Sequence, residues 1–194
     1  MNELPPKVRA FVALRMSREV EGALAAFIGT LRPQGGGIRW VRPGNLHLTL
    51  RFLGGAVETR MLAPLSVALA AIAAATAPFA LSVAGTGAFP DQQRPRVGWA
   101  GLAAAELAPL AVRVEAAAVR CGFAPARRSY SPHLTIGRVR DLRGWPAARR
   151  TLSEAMKRDF GTCLIDMMIL YRSILEAQAA RYEELARYEF APRG

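Results

Sequence analysis

The sequence predicts an α+β fold built on antiparallel strands. Strand-like and helix-like stretches alternate at unequal spacing, and several of the strands are joined by short turns rather than by helical crossovers. No loop of the G-x-x-x-x-G-K type is present and no G-x-G-x-x-G follows a strand to open a helix, so the doubly wound nucleotide-binding classes are not supported.

The elements follow in order. Val8 to Leu14 reads as a buried strand. Ser17 is placed to cap a helix whose apolar residues Val20, Leu24, Phe27, Ile28 and Leu31 recur at helical spacing, with Glu19 and Glu21 in the favourable first turn. Pro33-Gln34-Gly35-Gly36-Gly37 breaks it. Ile38 to Val41 reads as a strand, Arg42-Pro43-Gly44-Asn45 as a turn, and Leu46 to Leu53 as a second strand that Gly54-Gly55 ends. From about Thr59 a stripe of Met61, Leu62, Leu65, Leu69 and Ile72 marks a helix closed by Pro78.

Phe79 to Gly87 and Arg96 to Ala100 read as strands around the turn Phe89-Pro90-Asp91-Gln92. A helix over Glu106 to Arg120 carries Leu107, Leu110, Val114 and Val119, and Gly122 stops it. Past Pro132 come a strand from His133 to Val139, a helical stretch from Trp145 to Arg158, a strand from Cys163 to Tyr171 and a last strand over Tyr182 to Phe190.

Composition narrows the class. With 52% apolar and 21% charged residues in a chain of 194, the sequence is that of a globular protein, long enough for one domain or for two small lobes sharing a core. The net charge of +11 is almost all arginine, since Lys7 and Lys157 are the only lysines. A phosphate-binding surface and a genome-wide arginine and alanine bias explain that equally well, the latter echoed in the Ala-rich runs Ala70 to Ala77 and Ala103 to Ala105. Cys121 and Cys163 have no C-x-x-C spacing, so neither a disulfide scaffold nor a structural zinc site is expected, and a reduced cytoplasm is. Met1 to Lys7, with Pro5 and Pro6, lacks the design of a signal peptide, and no apolar stretch reaches the ~18 residues of a membrane span.

The two histidines of the chain share their neighbours: His47-Leu48-Thr49-Leu50 and His133-Leu134-Thr135-Ile136. A chance repeat of this kind is expected on the order of once in a thousand tries. On a strand the side chains alternate, so each histidine shares a face with its threonine while the aliphatics face the helices. One such histidine is more simply a satisfied core residue; two matched sites reverse that preference. Two imidazoles are too few for a zinc site, and no H-x-H or H-E-x-x-H supplies more ligands, so neither metal nor cofactor is expected. Two imidazoles do suit general acid and general base work near neutral pH, as in opening a strained cyclic phosphodiester.

The paired H-x-T-aliphatic motifs resemble those of the 2H phosphoesterase superfamily. The stretches RWVRPGNLHLTLRFLG (Arg39 to Gly54), SPHLTIGRV (Ser131 to Val139), LYRS (Leu170 to Ser173) and ARYEELARY (Ala180 to Tyr188) are similar to its LigT-like branch, the RNA 2′,3′-cyclic phosphodiesterases also called 2′-5′ RNA ligases. The resemblance implies one two-lobed domain over residues 1–194, with pseudo-twofold related antiparallel sheets flanked by helices and the active site in the groove between them. It further implies metal-independent hydrolysis of RNA 2′,3′-cyclic phosphate ends to 2′-phosphates, with His47 as general acid to the leaving 3′-oxygen and His133 as general base for water. Thr49, Thr135 and Arg138, the arginine of H-x-T-x-x-R, would bind the phosphate.

Arg138 stands five residues from His133, so a regular strand points it to the opposite face, and a bulge at Gly137 would turn it back. Arg51, four residues from His47, has the parity to reach the phosphate; Trp40 and Phe52 are candidates to stack a base, with buried packing the simpler role. The expected partner is RNA bearing cyclic phosphate ends, with no membrane involved and the protein a monomer. Two other functions stay open: a reversible 2′-5′ RNA ligase using the same cleft, and a non-catalytic RNA-binding module built on Arg127, Arg128, Arg138, Arg140, Arg143, Arg149 and Arg150.

Overall fold

A computed structural model of the chain describes residues 4–34, 36–176 and 180–191; Met1 to Glu3 and Gly35, which figured in the reading of the N-terminus and of the first helix breaker, lie outside them. The chain runs β1 (Lys7–Arg15), α1 (Arg18–Leu31), β2 (Ile38–Trp40), β3 (His47–Glu58), α2 (Leu62–Ala74), β4 (Phe79–Phe89) and β5 (Val97–Ala103). It continues through α3 (Leu107–Arg120), β6 (Leu134–Val139), α4 (Trp145–Glu154), β7 (Asp159–Ile165), β8 (Met167–Leu175) and β9 (Ala180–Glu189).

Two antiparallel sheets result, one in the order β3-β1-β8-β9 and the other in the order β2-β6-β5-β4-β7. Apart from the added β2, the second order repeats the first, with the two histidine strands β3 and β6 in matching places. The chain exchanges its parts between the sheets. α1, which follows β1, packs on β7 of the other sheet, and α3, which follows β5, packs on β3. α2 and α4, which follow the two histidine strands, return to their own sheets at β8, β9 and β4. The exchange joins both sheets to one continuous core, in which Leu14, Leu24, Leu48, Leu81, Leu107 and Leu134 are fully buried.

Local chemistry accounts for the elements. Ser17 Oγ accepts from the Val20 amide at the start of α1, and the helix buries Val20, Leu24, Phe27, Ile28 and Leu31. β1 places Val8, Ala10, Val12 and Leu14 in the main core and Phe11 and Ala13 in a second, smaller cluster on its other face. Gly122, at φ +89°, lets the chain leave α3 in a conformation that L side chains rarely adopt.

Strand and helix ends shift by a few residues from the reading of the sequence, and some differences are larger. β3 does not stop at Gly54-Gly55 but passes through them to Glu58, still paired with β1 up to Lys7. The single strand expected over Cys163 to Tyr171 is two, β7 and β8, which part at Asp166 and join different sheets; continuous apolarity concealed the change of sheet. α4 ends at Glu154, and Val119, counted on the apolar stripe of α3, is 40% exposed. No described helix is long and apolar enough to cross a membrane.

Gly137 shows how tightly β2 closes on β6. A Cβ there would lie 2.6 Å from Trp40 Cε3 and 3.2 Å from Ile38 Cγ2, so the indole lies directly over the glycine. Gly137→Ala is expected to push the indole away and cost about 1–3 kcal/mol, read in a thermal melt as a drop of roughly 3–10 °C.

Candidate active site

Both histidines stand at the mouths of their strands, His47 as the first residue of β3 and His133 just before β6. Each is fixed in the same way. His47 Nδ1 lies 2.8 Å from the Asn45 carbonyl oxygen and His133 Nδ1 lies 2.8 Å from the Ser131 carbonyl oxygen, two residues back in each case. A carbonyl only accepts, so each Nδ1 carries the hydrogen and donates it, leaving Nε2 of the neutral ring as a bare lone pair. Aromatic rings hold the imidazoles from the side. His47 sits 4.8 Å from the Phe11 ring and edge-on to Tyr182 at 5.0 Å, while His133 is edge-on to Phe89 at 5.1 Å.

The strands then deliver the polar face. Leu48, Leu50, Leu134 and Ile136 are buried in the core, and Thr49 and Thr135 stay partly exposed on the side of the histidines. In both strands the fourth residue of the motif is an extra one. Across β1, Val12 pairs with Arg51 and Ala13 with Thr49, so Leu50 is skipped; across β5, Gly98 pairs with Gly137 and Trp99 with Thr135, so Ile136 is skipped. Each skip is a bulge that reverses the alternation beyond it.

The reversal decides where the arginines go. Arg138 comes back to the face of His133, as a bulge beside Gly137 was expected to bring it, and shares one pocket with His47, Thr49, His133 and Thr135. All five candidate residues therefore line one recess between the two sheets. Arg51 goes the other way. Its Nε lies 2.5 Å from Glu115 of α3 and its Nη2 donates to the Ala124 carbonyl, so the parity reading that aimed it at a phosphate is overturned by the bulge. Trp40 packs on Gly137, and Phe52, 41% exposed, lies opposite Phe11 on the histidine side of β3, the face that Arg51 leaves.

Three further residues line the recess and escaped the sequence reading: Val41, Asn45 and Tyr182. Asn45 was read only as part of a turn, yet its carbonyl holds His47 and its Nδ2 donates to the Ala180 carbonyl oxygen on β9, 2.8 Å away. Tyr182 lay inside a quoted stretch but carried no motif of its own. Burial raises its phenol, with Arg138 and Arg9 pulling the other way.

Among the described residues no carboxylate lines the recess. Among them too, neither threonine hydroxyl nor the Arg138 guanidinium has a partner within the protein, and no group of three or more His, Cys, Asp or Glu side chains is placed to hold a metal. Burial lowers the His47 imidazole to about 4, against the help of its bond to Asn45, and the nearby Arg138 and His133 lower it further. The recess is thus a cluster of donors and positive charge without an acid to balance it, the complement of a phosphoryl group.

A recess so furnished, set between two interleaved antiparallel sheets, has the paired imidazoles, hydroxyls and guanidinium of the paired-histidine class of phosphoesterase folds. The sequence model of the LigT-like phosphoesterase family matches residues 14–99. An RNA 2′,3′-cyclic phosphodiesterase of Aeropyrum pernix is 32% identical over 89% of this chain and 98% of its own length. One of Geobacillus stearothermophilus is 33% identical over 95% of this chain, which spans 58% of that longer protein. Among solved structures, a Thermus thermophilus protein superimposes with a TM-score of 0.81 at 29% identity, covering 96% of this chain and 100% of its own. E. coli LigT complexed with 3′-AMP superimposes with a TM-score of 0.73 at 25% identity, covering 95% and 98%. The chain belongs to the LigT-like phosphoesterase family.

Two measurements test this geometry. In the free protein the His47 ring proton signals are expected to hold their neutral positions down to about pH 5 and to titrate around pH 4. Inorganic phosphate is expected to move that midpoint upward, and a midpoint near 6.5 indifferent to phosphate would contradict it. Arg51→Ala, which strands the Glu115 carboxylate, is expected to lower stability by about 1–2 kcal/mol in denaturant unfolding. Arg138→Ala breaks no ion pair and is expected to stay within about 0.5 kcal/mol of the parent.

Proposed function

We propose that this chain, working as one two-lobed domain, is a cyclic phosphodiesterase that opens 2′,3′-cyclic phosphate ends of RNA to 2′-phosphates without a metal ion. The observation that carries the proposal is the matched pair of imidazoles, each tied back through Nδ1 and each free at Nε2, in one recess with two threonine hydroxyls and one arginine that have no partner among the described residues. The names of the relatives, RNA 2′,3′-cyclic phosphodiesterase in both Aeropyrum pernix and Geobacillus stearothermophilus, point to the same reaction.

The chemistry runs as a displacement at phosphorus. Thr49, Thr135 and Arg138 bind the non-bridging oxygens and stabilise the charge that grows on them. A water molecule attacks phosphorus, and His133 Nε2, a lone pair, takes its proton. The bond from phosphorus to the 3′-oxygen breaks, and His47 supplies the proton that oxygen needs. The products are a 2′-phosphate and a free 3′-hydroxyl, with the proton now on His133, and exchange with solvent resets both rings. The strain of the five-membered cyclic ester makes it reactive enough for such a displacement without a Lewis acid.

The acid role asks for a proton that His47 does not hold in the free protein. A low value is the expected consequence of burial beside Arg138 and His133, and a bound phosphate reverses both charge effects. Arg138 then faces an anion, and the phosphate charge favours the protonated ring. Substrate and proton therefore bind together. The limb of kcat/KM that reports His47 in the free protein is expected to lie nearer pH 4, and the corresponding limb of kcat at higher pH.

The test is hydrolysis of 2′,3′-cyclic AMP and of an oligonucleotide ending in a cyclic phosphate, with EDTA present. His47→Ala and His133→Ala are each expected to lose about 10²–10⁴-fold in kcat, and Arg138→Ala to raise KM. Full activity in the double histidine variant would overturn the proposal. Salt-sensitive RNA binding indifferent to both histidines, with no turnover by the parent, would leave the basic binding module in its place.

A further inference from the structure

The bulges at Leu50 and Ile136 make β3 and β6 equivalent as far as Phe52 and Arg138, and the equivalence exposes a residue the reaction does not use. Counted from its histidine, Phe52 occupies on β3 the position that Arg138 occupies on β6. Arg138 lines the recess, whereas Phe52 stands outside it and is 41% exposed, a high value for a phenylalanine.

Its face is settled by pairing. Phe52 lies directly across from Phe11 on β1, and directly opposed residues share a face. Phe11 in turn stacks at 5.2 Å on Tyr171, meets Tyr182 edge-on at 5.1 Å and touches His47. The outer face of the first sheet is therefore an aromatic floor that starts under His47 and runs out to Phe52. At its far end the Arg9 guanidinium lies 4.4 Å from the centroid of the Phe52 ring. Arg9 is also close enough to Tyr182, a residue of the recess, to act on its phenol, and among the described residues it forms no ion pair.

An exposed aromatic ring with a guanidinium over it that no carboxylate holds is what a single-stranded nucleic acid recognises: the ring or the guanidinium plane stacks a base and the charge meets a phosphate. The site lies outside the recess that holds the two histidines. From His47 to Phe52 the strand advances about four paired positions, roughly 13 Å at 3.3 Å per residue. Because a cyclic phosphate terminates the 3′ end, chain extends from it only on the 5′ side.

We propose that Phe52 and Arg9 form a subsite for the penultimate nucleotide of the RNA, Phe52 stacking its base and Arg9 meeting the phosphate that joins it to the last one. The inference rests on the cyclic phosphodiesterase reading and adds a preference: RNA ends over free cyclic mononucleotides.

The experiment compares Phe52→Ala, Phe52→Trp and the parent on 2′,3′-cyclic AMP and on a dinucleotide ending in a 2′,3′-cyclic phosphate. Phe52→Ala is expected to lose roughly 5- to 100-fold in kcat/KM on the dinucleotide, through KM, the worth of one base–aromatic stack. On the mononucleotide it should stay within about twofold, and Phe52→Trp should restore the dinucleotide. Equal losses on both substrates, or none on either, overturn the subsite while leaving the reaction standing. Should the parent turn over neither substrate, the reaction fails instead, and equilibrium binding of 3′-phosphorylated mononucleotide and dinucleotide reads the subsite by the same comparison. A Phe52→Ala loss confined to the dinucleotide supports it there, and no difference overturns it.

Discussion

The site depends on one extra residue directly after the threonine of each histidine strand. Leu50 and Ile136 are buried aliphatics that the neighbouring strands skip, and the skip allows a face that begins as imidazole and hydroxyl to continue as something else. With strict alternation, Arg138 would point into the helices and Arg51 into the recess. With the bulges, the arginine of the second strand enters the recess, and the arginine of the first is turned under the sheet to Glu115. Each bulge buries a whole aliphatic side chain, so the hydrophobic core itself holds the polar face in register.

The bulges would be useless if the two strands were not held facing each other, and that falls to the exchanged helices. α1 leaves the first sheet to pack on the second, and α3 leaves the second to pack on the first, so neither sheet can move without dragging a helix from the other's sequence. Arg51 works at this seam. It joins the first histidine strand to α3 through Glu115 and to the Ala124 carbonyl, on the segment that leads toward His133, while Glu115 also accepts from the Ala126 amide. Asn45 does the same on the other side, bonding β9 while its carbonyl orients His47. The His47 imidazole is thus set by a backbone carbonyl on a turn that is itself fastened to β9.

This explains what was legible in the sequence. Thr49 and Thr135 were readable because they lie two residues from their histidines, ahead of any bulge, where simple alternation holds. Arg51 was not, because a bulge at a leucine leaves no mark in an apolar run; beside Arg138 the glycine gave the hint. The helices were readable from their stripes, down to the Ser17 cap, since each buries one face against a sheet. The break between β7 and β8 was hidden because both strands are buried, and a run from Cys163 to Tyr171 looks the same whether it serves one sheet or two. Tyr182 belongs to a strand that reaches the recess only through long-range pairing, and no local pattern announces that.

The arginine excess takes on a different meaning once its partners are known. Arg15, Arg60, Arg143, Arg172, Arg181 and Arg187 meet carboxylates at the surface, on the β8–β9 hairpin and at turns. Exposed pairs of that kind contribute little to stability. Among the described residues, what lines the recess beside the two histidines is the Arg138 charge, hydroxyl groups, the Asn45 amide and Val41, with no carboxylate. A net charge can come from codon bias; its placement cannot. A recess that excludes every described carboxylate and keeps His47 deprotonated beside Arg138 has the balance of charge that an arriving phosphate completes, and the proton needed by the leaving oxygen is then taken up only when the phosphate is there to hold it.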